Sequence, residues 1–164
     1  TDPLTITAPT HPVLRNVPLH AGALSAIVGY AYEVLYGGMT PLPFDLVTIG
    51  DAADIPGSIL PDMGSPPVTV AFQQERSGAR VFNTGSMHWS HGLDGWAGRT
   101  AFRNHGGERD CGQGDDDCFD VEDLAVRQLT VNVLADLGGR RGSPSPDLVD
   151  SGPCDWLNPG DGCR

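Results

Sequence analysis

Residues 79–94 read Ala79-Arg80-Val81-Phe82-Asn83-Thr84-Gly85-Ser86-Met87-His88-Trp89-Ser90-His91-Gly92-Leu93-Asp94. Val81 and Phe82 continue a β-type run that halts at Thr84-Gly85. A turn carrying Ser86, His88, Trp89, Ser90 and His91 comes next. A strand that ends in glycine and then delivers polar side chains is how α/β proteins place functional groups at the carboxyl edge of a sheet. Gly85 suits such a corner because it can take φ > 0 without a Cβ clash. A plainer reading of the same residues makes Trp89 part of the core and leaves the histidines on the surface.

Working upstream, Val68–Gln73 and Ala79–Thr84 are two strand runs separated by Gln74-Glu75-Arg76-Ser77-Gly78. That pattern predicts a β-hairpin with Gly78 in the left-handed position. Phe44–Gly50 is a further buried-strand candidate. Residues 19–36 divide in two. The part beginning at His20 suits a short helix. Gly29–Tyr36 suits a strand, with Tyr30, Tyr32, Val34 and Tyr36 on one side and Glu33 on the other beside Ala31 and Leu35. A carboxylate among apolar neighbours is a sheet-edge or paired group, or else a base or metal ligand. Thr5–Thr7 alternate with apolar residues and predict a strand near the start, and His11–Pro18 reads as a loop with a short strand or turn.

Downstream, residues 94–120 are irregular, with an acidic loop at Asp115-Asp116-Asp117 that lacks EF-hand spacing. Asp120–Leu137 is the clearest helix. Asp120 is placed to cap it, with Glu122 and Asp123 at its positive end. Val126, Leu129, Val133 and Leu137 fall on one face, widened by Leu134, and Gly138-Gly139 ends it. This gives an α/β domain over residues 1–141 and an irregular tail over 142–164.

The chain of 164 residues is 39% hydrophobic, enough for one domain with its own core. Its net charge of −11 and the lack of any basic run argue against nucleic acid and anionic membranes as partners. No apolar stretch has membrane length and no signal peptide is evident. Thr1-Asp2-Pro3, lacking an initial Met, reads as a processed start. A catalytic N-terminal threonine is a weaker alternative there. The four cysteines, Cys111, Cys118, Cys154 and Cys163, lie in two close pairs within Gly/Asp-rich loops. Disulfides Cys111–Cys118 and Cys154–Cys163 are expected, and with them a secreted or extracytoplasmic setting. The other connectivities stay open. Zinc is the rival reading for the thiols, although neither pair is a Cys-x-x-Cys.

Arg80–Asp94 and the later helix Arg127–Leu134 with Leu137-Gly138 resemble the carboxyl-terminal part of the N,N-dimethylformamidase large-subunit family. The Gly85-Ser86-Met87-His88-Trp89-Ser90 core carries that resemblance. His11-Pro12-Val13-Leu14 and Gly29–Val34 fit the family more loosely. The family's region is similar to class I glutamine amidotransferase domains, which implies an open, mixed sheet with flanking helices; the long disulfide-stapled loops come from the cysteine spacing and are not explained by the resemblance. It implies a C–N hydrolase acting on a small-molecule amide. In amidotransferase-like domains the catalytic histidine follows a late strand, the place His88 occupies. No Gly-x-Cys/Ser-x-Gly elbow precedes it, so the chain corresponds to a second half whose nucleophile or metal partners lie on another polypeptide. The family's iron ligands are Tyr and Glu. Tyr30, Tyr32 and Glu33 are candidates by residue type alone.

The residues themselves offer two kinds of chemistry. His88 and His91, with Asp94, have ligand types suited to a divalent metal. Ser86 beside His88 has the types of a nucleophile and base, with Glu33 as a further catalytic candidate. Trp89 suits core packing or ligand stacking. A non-catalytic secreted binding or assembly module on the same scaffold is the competing class.

Overall fold

A computed structural model describes residues 2–28, 46–51, 68–93, 123–139, 142 and 145–163. Its most local feature is the hairpin of β4 (Val68–Gln73) and β5 (Arg80–Asn83). Gly78, at φ 68°, lets the chain reverse, and the Gln74 and Gly78 amides close the loop onto Ala79 and Gln74 carbonyls. Alternation then fixes the faces. Ala71 and Phe82 sit opposite one another, as do Gln73 and Arg80.

Three further strands complete the sheet: β1 (Asp2–Ile6), β2 (Ala23–Val28) and β3 (Val47–Asp51). The order is β2-β1-β3-β4-β5. All four ladders between these strands are antiparallel, where a mixed sheet was expected. A short reversal explains the outcome at the β4–β5 ladder, because a parallel neighbour would need a long crossover. Strand β2 also replaces the short helix expected from His20 onward. His20 and Ala23 bond to each other in both directions around Ala21 and Gly22, which both have positive φ. That two-residue reversal launches an extended run ending in Ile27-Val28. The expected strand near the start is β1, and the Phe44–Gly50 run contributes β3. The Gly29–Tyr36 expectation lies outside the described residues.

The helix α1 (Leu124–Asp136) is capped by Asp123, whose Oδ1 accepts from the Ala125 amide at 2.7 Å. The cap is thus three residues later than Asp120, contributing about 1 kcal/mol. At the other end the Gly139 and Gly138 amides donate to the Leu134 and Ala135 carbonyls, the reciprocal pattern of a Schellman stop. Val126, Leu129 and Val133 are buried as expected and join Leu4, Leu24, Ile49 and Ala71 of the sheet in one core. Each buried Val, Leu or Ile side chain among them contributes about 1.5–3 kcal/mol. Leu134 and Leu137 do not join them. They are 51% and 49% exposed, while Gln128, Asn132 and Asp136 are buried.

The tail explains this exchange of faces. Residues 145–163 hold no strand or α-helix, only a 3-10 turn at Asp161–Cys163, yet Cys154 and Trp156 are buried, Trp156 within the core itself. The Cys154–Cys163 disulfide is formed.

Candidate functional site

The corner after β5 is built around Gly85, at φ 70°. A Cβ there would stand 2.0 Å from the Val68 carbonyl oxygen, so only a bare Cα lets the chain pass β4 this closely. Thr69 Oγ1 donates to the Thr84 carbonyl at 2.7 Å, and the Gly85 amide donates to Asn83 Oδ1 at 2.9 Å. A 3-10 helix, Met87–Gly92, begins at once. Trp89 anchors it. Its ring meets Phe82 edge-on at 5.8 Å, and its Nε1–H donates to Thr130 Oγ1 at 2.9 Å. Trp89 is therefore a packing residue, 6% exposed. The Gly92 carbonyl accepts from the Asp123 amide, which ties the corner to the start of α1.

Ser86 is half-buried, and its carbonyl accepts from Thr84 Oγ1. His88 and His91 occupy backbone positions three residues apart in the 3-10 helix, hence one turn apart. The fold thus gathers Ser86, His88 and His91 on one short segment. Asp94, Glu33, Tyr30, Tyr32, Cys111 and Cys118 lie outside the described residues. Among the described residues, no three His, Cys, Asp or Glu side chains group as a metal site.

Comparison of the chain with protein-family models, curated proteins and solved structures gave no match.

The densest polar constellation lies at the other end of α1, about 15 Å along its axis from Val126 to Asp136. Sequence reasoning missed it. Arg15 and Asp136 form a bidentate ion pair, both bonds 2.9 Å, with side chains 1% and 0% exposed. Asp136 also accepts from the Cys154 amide and from Trp156 Nε1, each at 2.7 Å. Arg15 donates further to the Pro12 and Gly152 carbonyls. Asn132 Nδ2 donates to the Val13 and Arg15 carbonyls, and Gln128 bonds Asn132 and both backbone groups of Val149. On the sheet side, Gln73 Oε1 accepts from Arg80 Nε and the Trp156 amide. Arg80 Nη1 reaches the Asp136 carbonyl, and its guanidinium lies over the Trp156 ring. The available signal was the i, i+4, i+8 spacing of Gln128, Asn132 and Asp136: short polar groups in a row, where an exposed helix face favours long charged ones.

His11 closes the constellation. Its ring meets Trp156 edge-on at 5.5 Å, and its Nδ1 accepts from the Val13 amide. The neutral ring therefore carries its proton on Nε2. Burial lowers its pKa from 6.5 to about 4, against an opposing pull from Asp136. The unfolded chain takes up a proton near pH 6.5 and the folded chain only near pH 4. Stability from this group is therefore complete above pH 6.5 and falls as the pH drops towards 4. We expect a loss on the order of 1–2 kcal/mol across that window, discounted for the ring's partial exposure. Urea titrations of the wild type and His11→Gln between pH 7 and 4 measure it. A pH slope unchanged by the substitution would remove His11 as its source.

Proposed function

We propose that this chain is a C–N bond hydrolase polypeptide, or one polypeptide of such an enzyme, of the kind represented by N,N-dimethylformamidase large subunits. The observation that carries this reading is the Gly85 corner, which sets His88 directly after a strand on a segment fixed by Trp89. The wider reading places the sheet in the second half of an amidotransferase-like domain. A second polypeptide completes that domain and supplies the groups missing upstream. The disulfide supports an extracytoplasmic setting.

In this reading His88 moves the proton between water and the departing amine, the ordinary work of an imidazole near neutral pH. Ser86 and Glu33 are the further catalytic candidates. Imidazole nitrogen and carboxylate oxygen are ordinary ligands of a divalent metal, so His88, His91 and Asp94 would hold one. Such an ion would polarise the amide carbonyl and lower the pKa of water.

Formate release from N,N-dimethylformamide, with and without chelator, tests the reading. We expect His88→Ala to lower kcat by roughly 100-fold or more. Equal rates in wild type and variant would take His88 out of the mechanism.

A non-catalytic binding or assembly module is the second reading, favoured by the absence of a Gly-x-Cys/Ser-x-Gly elbow ahead of His88. One equivalent of metal held by the purified chain and lost in His88→Ala would count against it.

A further inference from the structure

The tail grips the rest of the molecule unevenly. Its first part is held by side chains of the body: Val149 by Gln128, Gly152 by Arg15, Cys154 by Asp136, and Trp156 by Gln73 and Asp136. Residues 157–163 have no such hold. The Leu157 and Asn158 amides donate to Asp155 Oδ1, and the Cys163 amide donates to the Gly160 carbonyl. Among the described residues of this part, no hydrogen bond or ion pair reaches the sheet, α1 or the Pro12–Leu14 turn. Leu157, Asn158, Gly160 and Asp161 are exposed.

What ties this part down is the Cys154–Cys163 disulfide. Cys154 sits in the docked part, 2% exposed, and Cys163 is half-buried at the loose end. Ordering an exposed run that contains Gly160 and Gly162 costs backbone entropy at every residue, and few contacts offset it. The bond holds a wall in place. Pro159 and Cys163 line one side of a cleft of about 500 Å³, and Pro9, His11 and Leu14 line the other. The cleft lies at the far end of α1 from the corner that carries His88, so its role is independent of the catalytic reading.

We propose that the Cys154–Cys163 disulfide is a redox latch on this cleft: a dithiol that reduces it frees residues 157–163 and opens the cleft, while Cys154 and Trp156 stay docked. A thiolate of the dithiol attacks one sulfur of the bond, and the other sulfur leaves as a thiolate and takes up a proton. The second thiol of the reductant then displaces the remaining chain sulfur, which is protonated in turn. The chain gains two thiols, and the reductant is oxidised to its own disulfide. The hydrogen bonds to Gln128, Arg15, Asp136 and Gln73 do not involve either sulfur, so they survive the step.

The test uses the full chain, labelled with ¹⁵N, before and after dithiothreitol. Backbone order parameters at residues 157–163 are expected to fall from about 0.85 to below about 0.6, while those of Cys154 and Trp156 hold. Dithiothreitol also meets Cys111 and Cys118, so Cys163→Ser without reductant is the second arm, and it should give the same pattern. Iodoacetamide, mapped by peptide mass, should label Cys163 of the reduced chain roughly tenfold faster than buried Cys154. Four results would each overturn the proposal. The bond could resist dithiothreitol while the chain is folded. Residues 157–163 could keep their order once it is cut. Trp156 could lose order together with Cys163, which would show that the tail leaves as one piece. Cys163→Ser could fail to reproduce the change, which would assign it to Cys111 and Cys118.

Discussion

Asp136→Ala is expected to lower the free energy of unfolding by about 3–5 kcal/mol, because it strands the Arg15 guanidinium in the interior. That is a large share of the roughly 5–15 kcal/mol typical of a domain. The carboxylate accepts four hydrogen bonds: two from Arg15, one from the Cys154 amide and one from Trp156 Nε1. Alanine leaves every one of those donors buried and unmatched. The desolvation of the pair, not its attraction alone, sets the size of the effect. Arg15→Met combined with Asp136→Leu should therefore recover only the part owed to the stranded guanidinium, because the Cys154 amide and Trp156 Nε1–H stay unmatched. Arg127 and Asp147 supply the contrast, since their ion pair is solvated, with side chains 17% and 43% exposed. Arg127→Ala should cost below about 1 kcal/mol. Urea unfolding of the four proteins decides the matter. Similar losses for Asp136→Ala and Arg127→Ala would show that the buried pair holds little together.

Gly85→Ala should be the second most damaging change, and Gly78→Ala its control. Both glycines have left-handed backbones, φ 70° and 68°, so both substitutions meet the same local strain of roughly 1–2 kcal/mol. Their surroundings differ. A Cβ at position 78 meets nothing within 4 Å, whereas at 85 it meets the Val68 oxygen at 2.0 Å and its carbon at 2.7 Å. Backbone of a central ladder cannot step aside cheaply. Gly78→Ala should cost about 1–2 kcal/mol, and Gly85→Ala at least twice that, with loss of the Trp89–Thr130 bond. Thermal unfolding gives the first comparison, and the Trp89 Nε1–H exchange rate gives the second. Equal costs at both sites would mean that the corner tolerates a shift of β4.

Local signals in the sequence led to the right elements, and non-local ones did not. The β4–β5 hairpin was legible because alternation and Gly78 act within a dozen residues. The helix was legible because Val126, Leu129 and Val133 repeat at its period. The start of β2 was not, since Ala-Leu-Ser-Ala-Ile-Val suits either period and the reversal at Ala21-Gly22 decides between them. Leu134 and Leu137 misled for a related reason. Periodicity says which residues share a face, but the tail's contacts decide that Gln128, Asn132 and Asp136 are the ones covered. Of the candidate site, the corner at Gly85 and the packing of Trp89 were legible. The Arg15 constellation was hidden because its members stand 121 and 137 residues apart along the chain.

Those separations bear on biosynthesis. Arg15 leaves the ribosome long before Asp136 and Trp156 have been made, so the nascent amino-terminal strands emerge with a guanidinium that has no native partner. Trp156 must clear the exit tunnel before the interior can close. Closure of this interior is thereby deferred until the chain has been made as far as Trp156, with disulfide formation at Cys154 fastening that segment once it has docked.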